Sequence, residues 1–535
     1  MMAPSGLGAL SGLPALVRLN LRRDRVMLPI WLASTAALAA IGPRSAQTLL
    51  PTQADYDAFA ATAQGNAAFT VMLGQPLQVN TPGGFISYRV GIFLAVLVCF
   101  MNITVVNRHT RADEEAGRTE LTRSGVVGRN APLTAALGVA LLADLVVLLV
   151  VPAVLIANGL PTVGSIALGV SSAVAGLVFA GIASVAAQLN AFARGAYGLS
   201  AALIGVSYLV RGVGDSAAPA LSWFSPLGWF KAVRPFAGER WWVLLVSLAF
   251  AAAMVWLGYL LAGRRDLGAG ALQPRAGRLS AAPSLSSSFA LAVRLQRGTF
   301  VGWLVGMLVL GVTYGSVAKS VTDLFDENPA LRRYLEIAGG GDPVQAFIAA
   351  AALIMALIGS GFALQTSLRA HGEEGAGRVE PLLGAAVSKV GWLGSYVIIA
   401  VVGTIVMLVA AGFGFGLVHG IRSGDLGQVG VVIAAMLVYA PAVWVLIGAA
   451  LMLVGLWPAG TPAVWGLLAA CLVLTFFGSA LDLPQWLIDL SPFAHVPGLP
   501  SAEMAWPPLL WLTLIAAALI GVGLVGFRRR DLQTP

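Results

Sequence analysis

Charge is scarce in this chain. Its 535 residues include only 32 Lys or Arg and 24 Asp or Glu, 10% in all, against roughly 25% in a soluble globular domain. Hydrophobic residues make up 58% and mean hydropathy is +0.85. A chain of this length cannot wrap so much apolar surface in so little polar surface, so a water-soluble enzyme is excluded, and the same numbers exclude disorder. Cysteine occurs twice, as Cys99 and Cys471, each inside an apolar run. That excludes a disulfide scaffold and a cysteine-rich metal site. The four histidines include no His-Glu-x-x-His pair. Lysine occurs three times, as Lys231, Lys319 and Lys389. A phosphate-wrapping loop needs Gly-x-x-x-x-Gly-Lys-Ser/Thr; Lys319-Ser320 comes nearest, with Ala318 where the glycine must stand. The chain therefore has no P-loop ATPase site of its own, and neither a resident cofactor nor a metal is expected.

The net charge of +8 does not point to nucleic acid, because the basic residues sit beside apolar runs, where they orient a chain in a membrane. A span needs about 20 mostly apolar residues. On that rule twelve are expected: 26–42, 86–107, 131–157, 163–190, 196–213 and 241–263, then 299–319, 344–368, 390–418, 427–456, 461–480 and 506–527. With the N-terminus inside, the cytoplasmic segments hold 22 of the 32 Lys and Arg. Both termini are then cytoplasmic, and the first run, after Arg18, Arg22, Arg23 and Arg25, reads as a retained helix rather than a cleaved signal.

The chain also repeats itself. Arg111-Ala112-Asp113-Glu114-Glu115-Ala116-Gly117-Arg118-Thr119-Glu120 returns 260 residues later as His371-Gly372-Glu373-Glu374-Gly375-Ala376-Gly377-Arg378-Val379-Glu380, and Arg129 returns as Lys389. Ser225-Pro226 returns as Ser491-Pro492, Arg264-Arg265-Asp266-Leu267 as Arg529-Arg530-Asp531-Leu532, and Arg22, Arg25 and Trp31 as Arg294, Arg297 and Trp303. The expected fold is all-α and polytopic: a tandem pair of six-helix halves with a pseudo-twofold axis along the membrane normal. The expected division is a first half at 1–263, a cytoplasmic linker and second amphipathic region at 264–298, and a second half at 299–535.

The repeated acidic segment lies between the second and third span of each half. Thr110-x-x-Asp113 reads as a capping-box variant opening a short helix, with Glu114 and Arg118 on one face at i,i+4. Duplication of the same acids and of Gly-Arg points to two docking elements for two copies of one soluble partner. Asp144 is the one acid near mid-span, and its counterpart at the repeat offset is Thr404. It reads either as a substrate or proton contact or as a hydrogen-bonded acid between helices. Trp223, Phe224, Trp229, Phe230, Trp241 and Trp242 read as an interfacial aromatic belt.

The Glu-x-x-Gly-Arg-x-Glu segment after the second of six helices resembles ABC exporter permeases, in particular the duplicated actinobacterial permeases of the polyketide-antibiotic (tetronasin-type) exporter group. The resemblance extends along the chain through its helix pattern; at motif level it rests on the two acidic segments and the ends of the sixth helices. It implies that these segments are coupling helices contacting a separate nucleotide-binding subunit, which carries ATP and Mg. Glu114, Glu115, Gly117, Arg118, Glu120 and Arg129 would serve in the first half. Glu373, Glu374, Gly377, Arg378, Glu380 and Lys389 would serve in the second. It further implies an amphipathic elbow helix around Arg18 to Arg25, short re-entrant helices between Trp223 and Trp242, and a substrate pathway lined by the second and fifth helices. Phe93, Phe100, Tyr208, Phe347 and Phe476, with Asp144, are then the pathway candidates. The implied protein is a bacterial plasma-membrane permease exporting hydrophobic or amphipathic compounds with two ATPase subunits. The alternative is a proton-coupled facilitator of twelve helices, which also carries Gly/Arg/Asp loops in two halves. The scarcity of acids in the spans, the length of the acidic loops and the long segment 43–85 favour the first reading. A membrane-embedded transferase would need a cluster of polar catalytic residues, and none is visible.

Overall fold

The computed structural model describes residues 8–532 except 66, 267, 273–279, 281, 328–341, 386 and 478–483. Among the described residues there are helices and no strands. Contacts divide the chain into two units, Met1–Gly277 and Arg278–Pro535. Among the described residues ten helices are long and apolar enough to cross a membrane, and the chain is an all-α polytopic membrane protein.

Of the twelve expected spans, ten correspond to these helices. The first is the second arm of a bent pair, Gly8–Arg23 and Met27–Arg44, meeting at 66°. The bend has a local cause. Asp24 ends the helix Leu13–Arg23, its backbone N–H donating to the Asn20 carbonyl. Its fully buried carboxylate pairs with Arg108 at 3.1 Å and His109 at 2.5 Å, which pins the chain there. The eleventh expected span, 461–480, is shorter than expected where it is described: its helix runs Ala463–Phe477. The expected linker and second amphipathic region at 264–298 ends inside a long helix, Ser288–Glu327, which runs from it into the seventh span. At the repeat offset Gln296 stands where Asp24 stands, so the group that pins the first bend is missing.

In the first unit Thr162–Leu189 is the hub. Its small residues let neighbours approach closely, which is how membrane helices pack without a hydrophobic drive between them. A Cβ on Gly181 would lie 2.9 Å from the Met254 Cβ, and one on Gly176 would lie 2.5 Å from both Asn102 and Asp144. The second unit uses the same device between Gln428–Leu456 and Trp506–Arg529, where a Cβ on Gly455 would meet the Gly523 carbonyl oxygen at 2.2 Å. The peripheral helices present bare apolar surface: Leu245, Trp256, Val301, Leu510 and Trp511 are all exposed. In water that surface would aggregate; in a bilayer it faces acyl chains.

Candidate functional site

The repeated acids do not sit in a loop. In the first unit one helix runs Gly91–Glu115, passing through a π turn at Arg108–Ala112. In the second, Pro343–Gly375 runs unbroken. The capping-box reading of Thr110 is thereby overturned: the residue lies inside the helix, and its hydroxyl donates to the Val106 carbonyl at 2.6 Å. The chain leaves each helix at a glycine in the left-handed region, Gly117 at φ 71° and Gly377 at φ 68°, where a side chain would be strained. Short helices follow at Arg118–Arg123 and Glu380–Leu383.

Carboxylates in the last turn of a helix face its negative dipole end, so they require cations, and both units supply them, in part from matching positions: Arg118 with Arg378 and Arg265 with Arg530. Asp113 takes both guanidinium nitrogens of Arg23 at 2.6 and 2.8 Å and Arg118 Nε at 2.8 Å. Its counterpart Glu373 takes Arg378 at 2.5 Å and Arg369 at 2.9 Å. The expected i,i+4 pairing of Glu114 with Arg118 is replaced by Arg118 with Asp113, because Glu114 is already occupied. Arg265 grips it through two bonds of 2.7 and 2.8 Å, Arg111 donates at 2.7 Å, and the Gly268 amide donates at 2.9 Å. Glu374 is gripped the same way by Arg530, with both bonds at 2.5 Å. Arg265 and Arg530 are the matching residues at the ends of the two sixth helices. Arg129 and Lys389 complete the pattern, donating to the Gly263 carbonyl at 2.7 Å and the Arg530 carbonyl at 2.8 Å. Each unit thus ties the end of its second helix to the end of its last one. In the first unit a cavity of about 260 Å³, lined by Glu114, Arg129, Gln188 and Arg265, adjoins the tie.

Three candidate acids are differently placed. Glu115 is exposed and accepts from the Ala193 amide at 2.7 Å; Gly375 stands in its place in the second unit. Glu120 and Glu380 are exposed and have no ion-pair partner among the described residues. Beside Glu120, Leu121 and Val126 are 76% and 90% exposed.

The pathway candidates scatter. Phe93 and Phe100 are exposed on one helix. Tyr208 is not available as a free contact: its hydroxyl donates to the Met72 carbonyl at 2.6 Å and its ring lies under the Arg211 guanidinium. Phe347 stacks on Tyr314. Phe476 belongs to the helix Ala463–Phe477, but its side chain lies outside the described residues. Asp144 is 1% exposed and accepts from Asn102 Nδ2 at 2.8 Å, so it is the hydrogen-bonded acid between helices and lines no open surface here. An apolar groove of about 280 Å³ lined by Ile182, Leu203, Val206 and Phe250 was not anticipated. Its residues come from three separate apolar stretches, and nothing in the sequence marks them as neighbours.

The family model described as "Multidrug efflux system permease Rv1217c, C-terminal domain" matches residues 285–528. Over 534 residues, 99% of this chain and 97% of the relative, the chain is 40% identical to the multidrug efflux system permease protein Rv1217c of Mycobacterium tuberculosis (strain ATCC 25618 / H37Rv).

Proposed function

The chain belongs to the family of the multidrug efflux system permease Rv1217c, and from that premise we propose that it is the membrane subunit of an ATP-driven exporter of the ABC type, moving hydrophobic or amphipathic compounds out across the bacterial plasma membrane. In this reading two separate ATPase subunits carry ATP and Mg and dock on the short helices after Gly117 and Gly377. The face bearing those helices is cytoplasmic, as are both termini. The resemblance to the tetronasin-type group supports the same assignment. The observation that carries the reading is the duplicated tie: in each unit the second spanning helix is bonded at its end to the end of the last one and leads straight into a short helix that keeps one carboxylate, Glu120 or Glu380, turned outward. A push on such a helix reaches the second span first and the last span through the tie.

Few fixed charges in the spans could neutralise a charged solute, so the cargo is apolar or amphipathic, bound by shape and buried area. The deciding experiment is co-purification with a co-expressed ABC-type ATPase subunit from the same organism, followed by transport in liposomes. Two ATPase copies per permease and ATP-dependent export are expected. Export by the chain alone, driven by a pH gradient without ATP, would falsify the assignment.

Asp144 gives an independent check. Asp144→Asn keeps an oxygen to accept the Asn102 hydrogen bond and removes the mid-span acid that a proton-coupled mechanism would use. Drug resistance in cells is expected to stay within about twofold of wild type, since the isosteric change keeps the one hydrogen bond present and the other carboxylate oxygen has no partner to lose among the described residues. Loss of resistance with normal expression would favour the proton-coupled alternative.

A further inference from the structure

At the end of the first unit opposite the acidic ties, charge is unbalanced. The chain there runs through a short helix, Pro226–Ala232, whose start is capped by the Ser225 hydroxyl accepting from the Gly228 amide at 3.1 Å. It then turns through Arg234 at φ 57° and Phe236 at φ 64°. Such a backbone is strained for a residue with a side chain and persists only where its surroundings hold it. The Phe236 ring does the holding: it is wedged between Gly83 and Gly164, where a Cβ would lie 2.4 and 2.1 Å from it. The turn puts Arg234 and Arg240 on the wall of a cavity of about 160 Å³ that Ser87, Tyr88, Asp215, Ser222 and Lys231 also line.

Two donors in this cavity have capacity to spare. Lys231 Nζ makes one long bond, 3.4 Å to the Ser87 carbonyl, and lies 5.9 Å from the Tyr88 ring centroid. The Tyr88 hydroxyl is buried and has no hydrogen-bond partner among the described residues. The acid on the cavity wall is committed elsewhere: Asp215 accepts from Arg211 at 3.2 Å and from the Ser222 hydroxyl at 2.8 Å. Glu239 accepts from the Phe236 amide. Burial, with the neighbouring Arg211, lowers Lys231 to about 7. The cavity opens at an aromatic level, where Trp223 stacks on Trp242 at 5.6 Å and Phe224, Trp241 and Trp242 are exposed; such residues mark the headgroup zone of a bilayer.

We infer that this cavity binds the oxyanion head, phosphate or carboxylate, of an amphiphilic molecule, between Lys231, Tyr88 and the Arg240 rim. An ammonium that makes one long bond and a hydroxyl without a partner among the described residues supply donors to a tetrahedral or planar oxyanion, and the exposed tryptophans hold its apolar part. The site is not duplicated: with Ser225-Pro226 set on Ser491-Pro492, Pro497 stands at the position of Lys231. The inference goes beyond the export reading and stands whether or not the short helices dock an ATPase.

The test uses the full chain in neutral detergent with dodecyl phosphate, dodecanoate, inorganic phosphate and dodecyltrimethylammonium as probes. At least one anionic amphiphile is expected to bind saturably, the tighter of the two naming the head; inorganic phosphate is expected to bind at least tenfold more weakly, and the cation not at all. Lys231→Met should raise the dissociation constant at least tenfold. Tyr88→Phe, which removes a hydroxyl that bonds nothing, and Arg240→Gln, at an exposed position, should each raise it severalfold with the melting temperature unchanged. Affinity should fall as pH rises through 7, because the amine faced by Arg211, Asp215, Tyr88, Arg234 and Arg240 must then take up a proton. Wild-type affinity in folded Tyr88→Phe and Arg240→Gln, or inorganic phosphate binding as tightly as its dodecyl ester, overturns the inference.

Discussion

Glu374→Gln is expected to lower the melting temperature of the protein by roughly 10 °C and to abolish efflux, while the exchange of charges in Glu374→Arg with Arg530→Glu restores much of both. The carboxylate is 2% exposed and both its oxygens are held by one guanidinium at 2.5 Å. Removing one member of such a pair strands the other charge, at about 3–5 kcal/mol, and each kcal/mol moves the midpoint of a unit of this size by about 2–4 °C. Stabilities of folded domains are themselves only about 5–15 kcal/mol, so this one contact decides whether the end of the helix stays attached. The equivalent exchange in the first unit, Glu114→Arg with Arg265→Glu, should recover less. Glu114 also accepts from Arg111 and from the Gly268 amide, and an arginine there cannot accept anything. Thermal melts of Glu374→Gln, of the four single halves of the exchanges and of the two exchanges settle this; a midpoint in Glu374→Gln equal to wild type would mean the pair is slack.

That tie shows what the sequence carries and what it does not. The offset of 260 residues correctly equated Asp113 with Glu373, Arg118 with Arg378 and Arg129 with Lys389, and the Arg-Arg-Asp-Leu repeat marked Arg265 and Arg530. A repeat says that two segments are alike, not which segments within one copy touch, so the grip of Arg265 on Glu114 was invisible although both partners had been singled out. The capping-box reading of Thr110 failed for a related reason. Hydrophobicity ends near Asn107, but the helix continues through Glu115 because buried ion pairs to Arg23 and Asp24 hold its polar extension. The contacts of Tyr208 with Met72 and Arg211 were likewise invisible, because these partners are remote or polar and leave no periodic signal. The spans themselves were legible, since a run of apolar residues can satisfy its backbone in lipid only as a helix.

Glu114 and Glu374 are turned inward, so under the proposed ABC reading contact with an ATPase would fall to the residues left outside. Reversal of Glu120 and Glu380 together is therefore expected to cut efflux at least tenfold while the melting temperature holds. Both are exposed and without an ion-pair partner among the described residues, and surface changes away from such contacts stay within about 0.5 kcal/mol. Adding Leu121→Asp should deepen the defect, for a leucine 76% exposed next to a free carboxylate has the form of an apolar anchor with a charged rim. The charge reversals should slow association most, and more at low salt than at high, whereas the leucine change should speed dissociation. Measuring ATP hydrolysis beside transport separates docking from coupling: hydrolysis that continues without transport means the subunits meet but the push is lost. Wild-type efflux in the triple variant, with the ATPase still bound, would place the docking surface elsewhere on the chain and leave the two tied helices as purely structural clamps.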